Sequence, residues 1–327
     1  MASFTLQEAP QKTDAGATRH VVIGFINNMP DAAIRSSERQ FRGMLRAGAD
    51  GVEVVLKGFY CNRIPRSDVA KTVFLHPYCE IDRLWGSDID GLIVTGTEPR
   101  ADKLTDEPCW PLLSRLVEWA EEKTISTLWS CLAAHAAVFR LGGISRKPLM
   151  KKMSGLFECT AVAAHPLLSG LPGSWLNPHS RHNDLPEAEL LQNGFQPLIK
   201  LADGLDTFMM QRKSLFVFFQ GHPEYDPESL LLEYMRDVKR YVEGERDVYP
   251  DAPTGYFDTE LTEKLEELRR GALRTRDIGA HPAVTRLLQG YQIKNVWREP
   301  SMIIYRNWLN LIAAEKSRRA SRTATAD

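Results

Sequence analysis

The sequence predicts an α/β fold: a mostly parallel sheet with helices packed on both faces. Three observations predict it. Short runs of β-branched and aromatic residues alternate with stretches of helical periodicity. The runs are apolar throughout, as in strands covered on both faces. Glycine, proline and helix-capping residues punctuate the joins.

The elements follow in order. Residues 1–18 read as a loose polar tail. HVVIGFI (20–26) is the first buried strand and ends in Asn27-Asn28-Met29-Pro30. A helix follows over 36–47, with Phe41, Met44 and Leu45 on one face. VEVVLKGF (52–59) and IDGLIVTG (89–96) are further strands, the second stopped by Gly96. Pro111 suits the first turn of a helix, whose apolar positions Leu112, Leu116, Trp119 and Ala120 repeat near 3.6 residues. TISTLWS (124–130) is a strand that runs into CLAAHAAVFRLGG, an alanine-rich helix with a glycine stop. Residues 160–212 are less regular and hold shorter strands. KSLFVFFQ (213–220) is the last strand, before a helix near 228–242. TELTEKLEELRRGAL (259–273) is a charged amphipathic helix with Leu261, Leu265 and Leu268 inward. The expected organisation is one domain over 19–315 with a helical insertion near 259–290. Residues 316–327, KSRRASRTATAD, are expected to be disordered.

Composition narrows the function. The 327 residues are 43% hydrophobic with a net charge of -1, so no bulk electrostatic attraction to nucleic acid or an anionic membrane is expected. No apolar run approaches membrane-spanning length and the N-terminus lacks a signal-peptide pattern, which predicts a soluble cytoplasmic protein. Cys61, Cys79, Cys109, Cys131 and Cys159 are odd in number and form no CxxC pair, which argues against a disulfide framework or zinc site. His179 and His182 lack a ligand-spaced cysteine or carboxylate, so no metal is expected there.

Ligands of open α/β sheets bind at the carboxyl ends of strands. Three such ends stand out: Gly96 with the loop TEPRAD, Ser130-Cys131, and Gly221-His222-Pro223-Glu224. A cysteine on a sharp strand-to-helix turn is a nucleophile elbow, where the helix N-terminus stabilises a thiolate and the next backbone N–H can meet an oxyanion. His222 and Glu224, two apart in extended chain, point the same way, so the carboxylate can orient the imidazole. Alone, Cys131 reads as well as a buried core cysteine, and His222 as a strand-end histidine. Together they read as nucleophile, base and orienting acid.

This constellation resembles the class I glutamine amidotransferase-like (flavodoxin-like) fold with its Cys-His-Glu triad. Several segments are similar to the homoserine O-acyltransferase (homoserine O-succinyltransferase) family of methionine biosynthesis: NNMPD with SERQF (27–41), DGLIVTG (90–96), EPCWPLL (107–113), TLWSC (127–131), KKMSGLFE (151–158), NPHSRHND (177–184) and GHPEYD (221–226). The resemblance implies ping-pong acyl transfer. Cys131 would take the acyl group from succinyl-CoA or acetyl-CoA as co-substrate, His222 would move the proton, and Glu224 would orient His222. Lys152, Ser180 and Arg236 match substrate-binding positions and would engage carboxylates of homoserine or the acyl group. No permanently bound cofactor is implied, and the partners are small-molecule substrates, with a homodimer the expected assembly.

The chain also departs from the family pattern. GTEPRAD stands where the family has a GAP-like loop, and Arg100 occupies the position linked to acyl-donor choice, where the family carries glycine or glutamate. An arginine can pair with a succinyl carboxylate, which favours succinyl-CoA over acetyl-CoA, and it can equally bind a CoA phosphate. CLAAHAA replaces a bulkier sequence, and His135, one turn from Cys131, is expected to be packed rather than a second base. O-acetyl transfer to homoserine and acylation of serine stay open as alternatives. So do a glutamine amidotransferase-like hydrolase and a non-catalytic ligand-binding descendant.

Overall fold

The computed structural model describes residues 3–5, 19–275 and 279–324. Eleven strands form the sheet: β1 (Ser3–Thr5), β2 (Arg19–Ile26), β3 (Val52–Tyr60), β4 (Cys79–Glu80), β5 (Gly91–Val94), β6 (Ser126–Ser130), β7 (Lys147–Ala161), β8 (Trp175–Asp184), β9 (Gln196–Lys200), β10 (Leu205–Gln211) and β11 (Leu215–Phe219). Eight α-helices accompany them: α1 (Ile34–Gly48), α2 (Trp110–Lys123), α3 (Leu132–Gly142), α4 (Glu187–Gln192), α5 (Ser229–Val242), α6 (Thr259–Thr275), α7 (Ala280–Leu288) and α8 (Arg298–Ala324). The strand order is β1-β3-β2-β5-β6-β11-β10-β9-β7-β8, with β4 beside β3. The centre, β3-β2-β5-β6-β11, is parallel. Antiparallel strands extend it on either side.

Strand alternation splits the core into two layers. Val21, Ile23 and Phe25 of β2 and Leu215, Val217 and Phe219 of β11 face α1 and α8. Phe216 and Phe218 of β11, with Leu92, Val94 and Trp129, face α2 and α3. Every residue of β5, β6 and β11 is buried, so an apolar run without alternation is what two-sided cover demands. A third cluster joins α5, α6 and α7 through Tyr234, Val238, Leu265, Val284 and Trp297, so the segment near 259–290 packs as a helical layer on α5.

Both chain ends differ from the sequence expectation. Residues 3–5 of the expected loose tail pair antiparallel with β3, while 6–18 lie outside the described residues. The expected disordered segment from 316 is helical to Ala324, and 325–327 lie outside the described residues. The reason is upstream. Ile304, Tyr305, Trp308, Leu309, Ile312 and Ala313 form a buried stripe at helical spacing, and the charged end continues this anchored helix. Lys316 then caps the packing with a 2.7 Å ion pair to Asp90. Trp308 is fully buried and its Nε1 donates to Ser126 Oγ at 2.8 Å. Trp308→Ala is expected to cost about 3–5 kcal/mol in urea unfolding, from the cavity and the lost hydrogen bond together. A loss under about 1 kcal/mol would contradict the central place given to α8. No helix among the described residues is long and apolar enough to cross a membrane.

Candidate active site

The sheet register assembles the site. Phe219 of β11 lies opposite Ser130 of β6, and Val94 of β5 opposite Trp129. The three strands therefore end side by side, and their next residues meet. Cys131 N–H donates to Phe219 O at 2.9 Å. Cys131 adopts φ 52 and ψ -118, the one positive φ outside glycine among the described residues. This left-handed backbone is strained for a side chain with a Cβ and is typical of an elbow that lifts the side chain off the sheet. The thiol is partly exposed. Gly96 makes the turn possible from behind: a Cβ there would sit 3.3 Å from Cys131 Cβ and 3.2 Å from the Leu132 nitrogen. A larger residue would crowd the elbow and cover the N–H that follows the cysteine.

His222 follows β11 by three residues, and its N–H donates to Pro178 O at 2.7 Å. The PHSR and GHPEYD segments thus meet through one backbone bond. His222 Nδ1 lies 2.8 Å from Glu224 Oε1, and both residues are buried. Nδ1 is occupied, which leaves Nε2 as the ring nitrogen that can serve Cys131. The ring also stacks on Tyr225, with centroids 4.2 Å apart. Burial by itself would lower the His222 pKa. The Glu224 charge, then the hydrogen bonds with Cys131 and Glu224, override it and hold the imidazole well above its ordinary value. A histidine that keeps its proton favours a thiolate beside it.

This raised value has a stability consequence. Its contribution is complete below about pH 6.5, the unfolded value, and is lost as pH rises through the folded value. Glu224→Gln is expected to flatten that alkaline loss. It should also slow iodoacetamide alkylation of Cys131 near pH 7. An unchanged alkylation profile would remove Glu224 as the source of the shift.

Lys152, Ser180 and Arg236 come together beside this triad. Lys152 on β7 places Nζ 3.2 Å from Glu233 Oε2 and 2.9 Å from Asp237 Oδ2. Ser180 on β8 donates to the same Glu233 oxygen, and Tyr225 donates to Glu233 Oε1 at 2.6 Å. Arg236 grips Asp237 Oδ1 through Nε at 3.1 Å and Nη2 at 3.0 Å, with its side chain about half exposed. Burial pushes Glu233 and Asp237 up, but Lys152 and the surrounding donors outweigh it and hold both carboxyls below their ordinary range. Arg100 is placed apart. Its backbone N–H donates to buried Glu107, and its side chain is exposed on the loop after Gly96.

Sequence reasoning missed Glu233 and Asp237. Their signal is helical spacing: 233, 236 and 237 share one face of α5. His135 is buried and bonded to Gln220 at 3.3 Å, and burial lowers it to about 4, which makes it a packed neutral histidine. His179 finds through folding the partners its sequence neighbourhood lacks: donor atoms of Cys159, His179 and Asp206 lie within 4.8 Å of one another. Asp206 already accepts from Asn177 at 2.6 Å, Thr207 at 2.6 Å and His179 at 3.0 Å, and burial pushes the Cys159 thiol far up. Asp206 is thus engaged by three side chains, while His179 Nδ1 has no partner among the described residues.

At the carboxyl ends of its central parallel strands, the sheet holds a strained cysteine against a histidine–carboxylate pair. Among solved structures, a glutamine amidotransferase from Thermotoga maritima is similar at a TM-score of 0.46 and 14% identity, over 83% of this chain and 99% of that one. The family model described as homoserine O-succinyltransferase matches residues 4–318. Relatives of that name include one from Rhodopseudomonas palustris, 43% identical over 92% of this chain and 91% of its own. Another, from Bradyrhizobium japonicum, is 41% identical over 94% of this chain and 96% of its own. The chain belongs to the homoserine O-succinyltransferase family.

Proposed function

We propose that this enzyme moves a succinyl group from succinyl-CoA to the hydroxyl of homoserine through an acyl-cysteine on Cys131. The observation that carries the reading is Cys131 at its strained turn, beside a hydrogen-bonded His222–Glu224 pair, in a chain of this family. In the first half, the Cys131 sulfur attacks the thioester carbon, with the Leu132 N–H available to the developing oxyanion. The intermediate collapses, the CoA sulfur leaves with the proton held by His222, and the acyl group stays on Cys131. In the second half, His222 takes the hydroxyl proton of the acceptor. The alkoxide oxygen attacks the acyl carbon and the Cys131 thiolate leaves. Positioned proton transfer of this kind is worth roughly 10²–10⁴-fold. Glu224 holds the ring in place throughout.

Lys152, Ser180 and Arg236 supply a docking point for the α-carboxylate of the acceptor, with Glu233 and Asp237 setting their geometry in its absence. Arg100, exposed beyond Gly96, meets an anionic part of the acyl-CoA. The chain needs no resident cofactor in this scheme. Intact-protein mass spectrometry tests it. Succinyl-CoA without acceptor is expected to add one succinyl group to the wild type, and homoserine is expected to discharge it faster than serine. Loading from acetyl-CoA alone would move the donor to acetyl. No adduct from either donor, with glutamine hydrolysed instead, would overturn acyl transfer.

A further inference from the structure

His222 and Tyr225 are the first and last residues of a tight turn. Tyr225 N–H donates to His222 O at 3.1 Å, and Pro223 takes the second position, which its fixed φ suits. The turn lays the phenol ring against the imidazole, with centroids 4.2 Å apart and planes 17° from parallel. Two further bonds hold the tyrosine. Its carbonyl oxygen accepts from Trp297 Nε1 at 2.9 Å, and its hydroxyl donates to Glu233 Oε1 at 2.6 Å. The other Glu233 oxygen accepts from Lys152 Nζ at 3.2 Å and from Ser180. One side chain therefore bridges the base of the triad and the groups proposed to dock the acceptor.

Each end of Tyr225 has a chemical consequence. An aromatic face is negative and attracts a cation stacked on it, more strongly where water is excluded. His222 is buried, so the ring favours its protonated form. The Glu224 carboxylate and the Cys131 sulfur act in the same direction. His179, from β8, is held toward its neutral form by burial, and burial also keeps the nearby Tyr305 phenol neutral. Burial and then the Glu233 charge hold the Tyr225 hydroxyl well above its ordinary pKa, so it stays a donor at neutral pH. Its bond to a carboxylate is charge-assisted and geometrically demanding. That bond occupies Glu233 Oε1 and leaves one oxygen for Lys152 and Ser180 to share.

We infer that Tyr225 is a positioning residue that couples the two halves of the site: its ring supports the His222 imidazolium, and its hydroxyl fixes Glu233, and through it Lys152, for the acceptor. The hydroxyl part rests on the acyl-transfer reading and deepens it. The ring part stands apart from that reading, because alkylation of Cys131 reports on His222 with no acyl donor present.

Two variants of the full chain separate the parts. Tyr225→Phe keeps the ring and loses the hydroxyl; Tyr225→Leu loses both. The readouts are the pH profile of Cys131 alkylation by iodoacetamide, adduct formation from succinyl-CoA, and discharge of that adduct by homoserine. Tyr225→Phe is expected to keep the wild-type alkylation profile and to load within about threefold of wild type, while the homoserine concentration for half-maximal discharge rises about tenfold. Tyr225→Leu is expected to lower alkylation near pH 7 by about three- to tenfold, to move its rise to higher pH, and to slow both half-reactions. A merely structural role would lower the Tm of the variants and leave the pH profile in place. A Leu profile that superimposes on wild type, or a Phe profile displaced as far as the Leu one, overturns the ring's part. An unchanged homoserine dependence in Tyr225→Phe overturns the coupling, and this arm still decides should Tyr225→Leu fail to fold. No adduct on wild type from succinyl-CoA or acetyl-CoA overturns acyl transfer and the hydroxyl's part with it, and the alkylation profiles then decide the ring's part alone.

Discussion

Cys131→Ala is expected to leave the fold intact and to reduce acyl transfer by at least about 10⁴-fold, the scale on which nucleophile removal acts when its partners work as a unit. His222 then has no sulfur to activate, and no adduct can form. The same position should separate activity from stability. Cys131 pays for its place at φ 52 with backbone strain, of order 1–3 kcal/mol for a residue with a Cβ. Glycine carries no such penalty. Cys131→Gly is therefore expected to be as inactive as Cys131→Ala and more stable than it by about 1 kcal/mol. Adduct formation together with urea unfolding of the two variants measures this. An alanine variant at least as stable as the glycine variant would show that the turn stores no strain.

Gly221→Ala is expected to disable the site without touching any group that reacts. A Cβ at residue 221 would lie 2.4 Å from Asn177 Nδ2, 2.5 Å from Asp206 Oδ2 and 2.9 Å from His179 Nε2. These atoms cannot swing aside, because they are bonded to one another and buried. The backbone at 221 must move instead, and His222 moves with it, away from Cys131. A displacement near 1 Å costs roughly 10²-fold in rate. Overpacking adds a loss of about 1–3 kcal/mol in stability. The signature is a fall in the rate of acyl transfer and of Cys131 alkylation together, since both depend on the same imidazole. Normal alkylation in a slow enzyme would place the damage elsewhere.

Much of this site was legible in the chain. Strand-like runs at 20–26, 52–59, 124–130 and 213–220 became β2, β3, β6 and β11, central strands whose β-branched and aromatic residues fill the core on one or both faces of the sheet. The turn at Cys131 and the His222–Glu224 pair were visible because each is local: one is a strand-to-helix junction, the other a two-residue spacing. What escaped was long-range. The helix through Trp308 extends past the point where its charged end suggested disorder, because its anchor is a stripe packed on β2 and β3. Glu233 carried a usable helical spacing, but its partners Lys152 and Ser180 lie on strands more than fifty residues away.

By itself, then, the sequence determined the sheet class, the elbow at Cys131 and the imidazole–carboxylate pair, since period, turn chemistry and adjacency are properties of neighbouring residues. Only the tertiary structure decided which groups share a space. The β6–β11 register sets Cys131 against His222. The pairing of β7 with β8 brings Lys152 and Ser180 to Glu233. Folding also brought His179 beside Asp206 and Cys159. Hydrogen bonds and ion pairs act over a few ångströms, and no spacing along the chain reveals which distant residues the sheet will bring within that range.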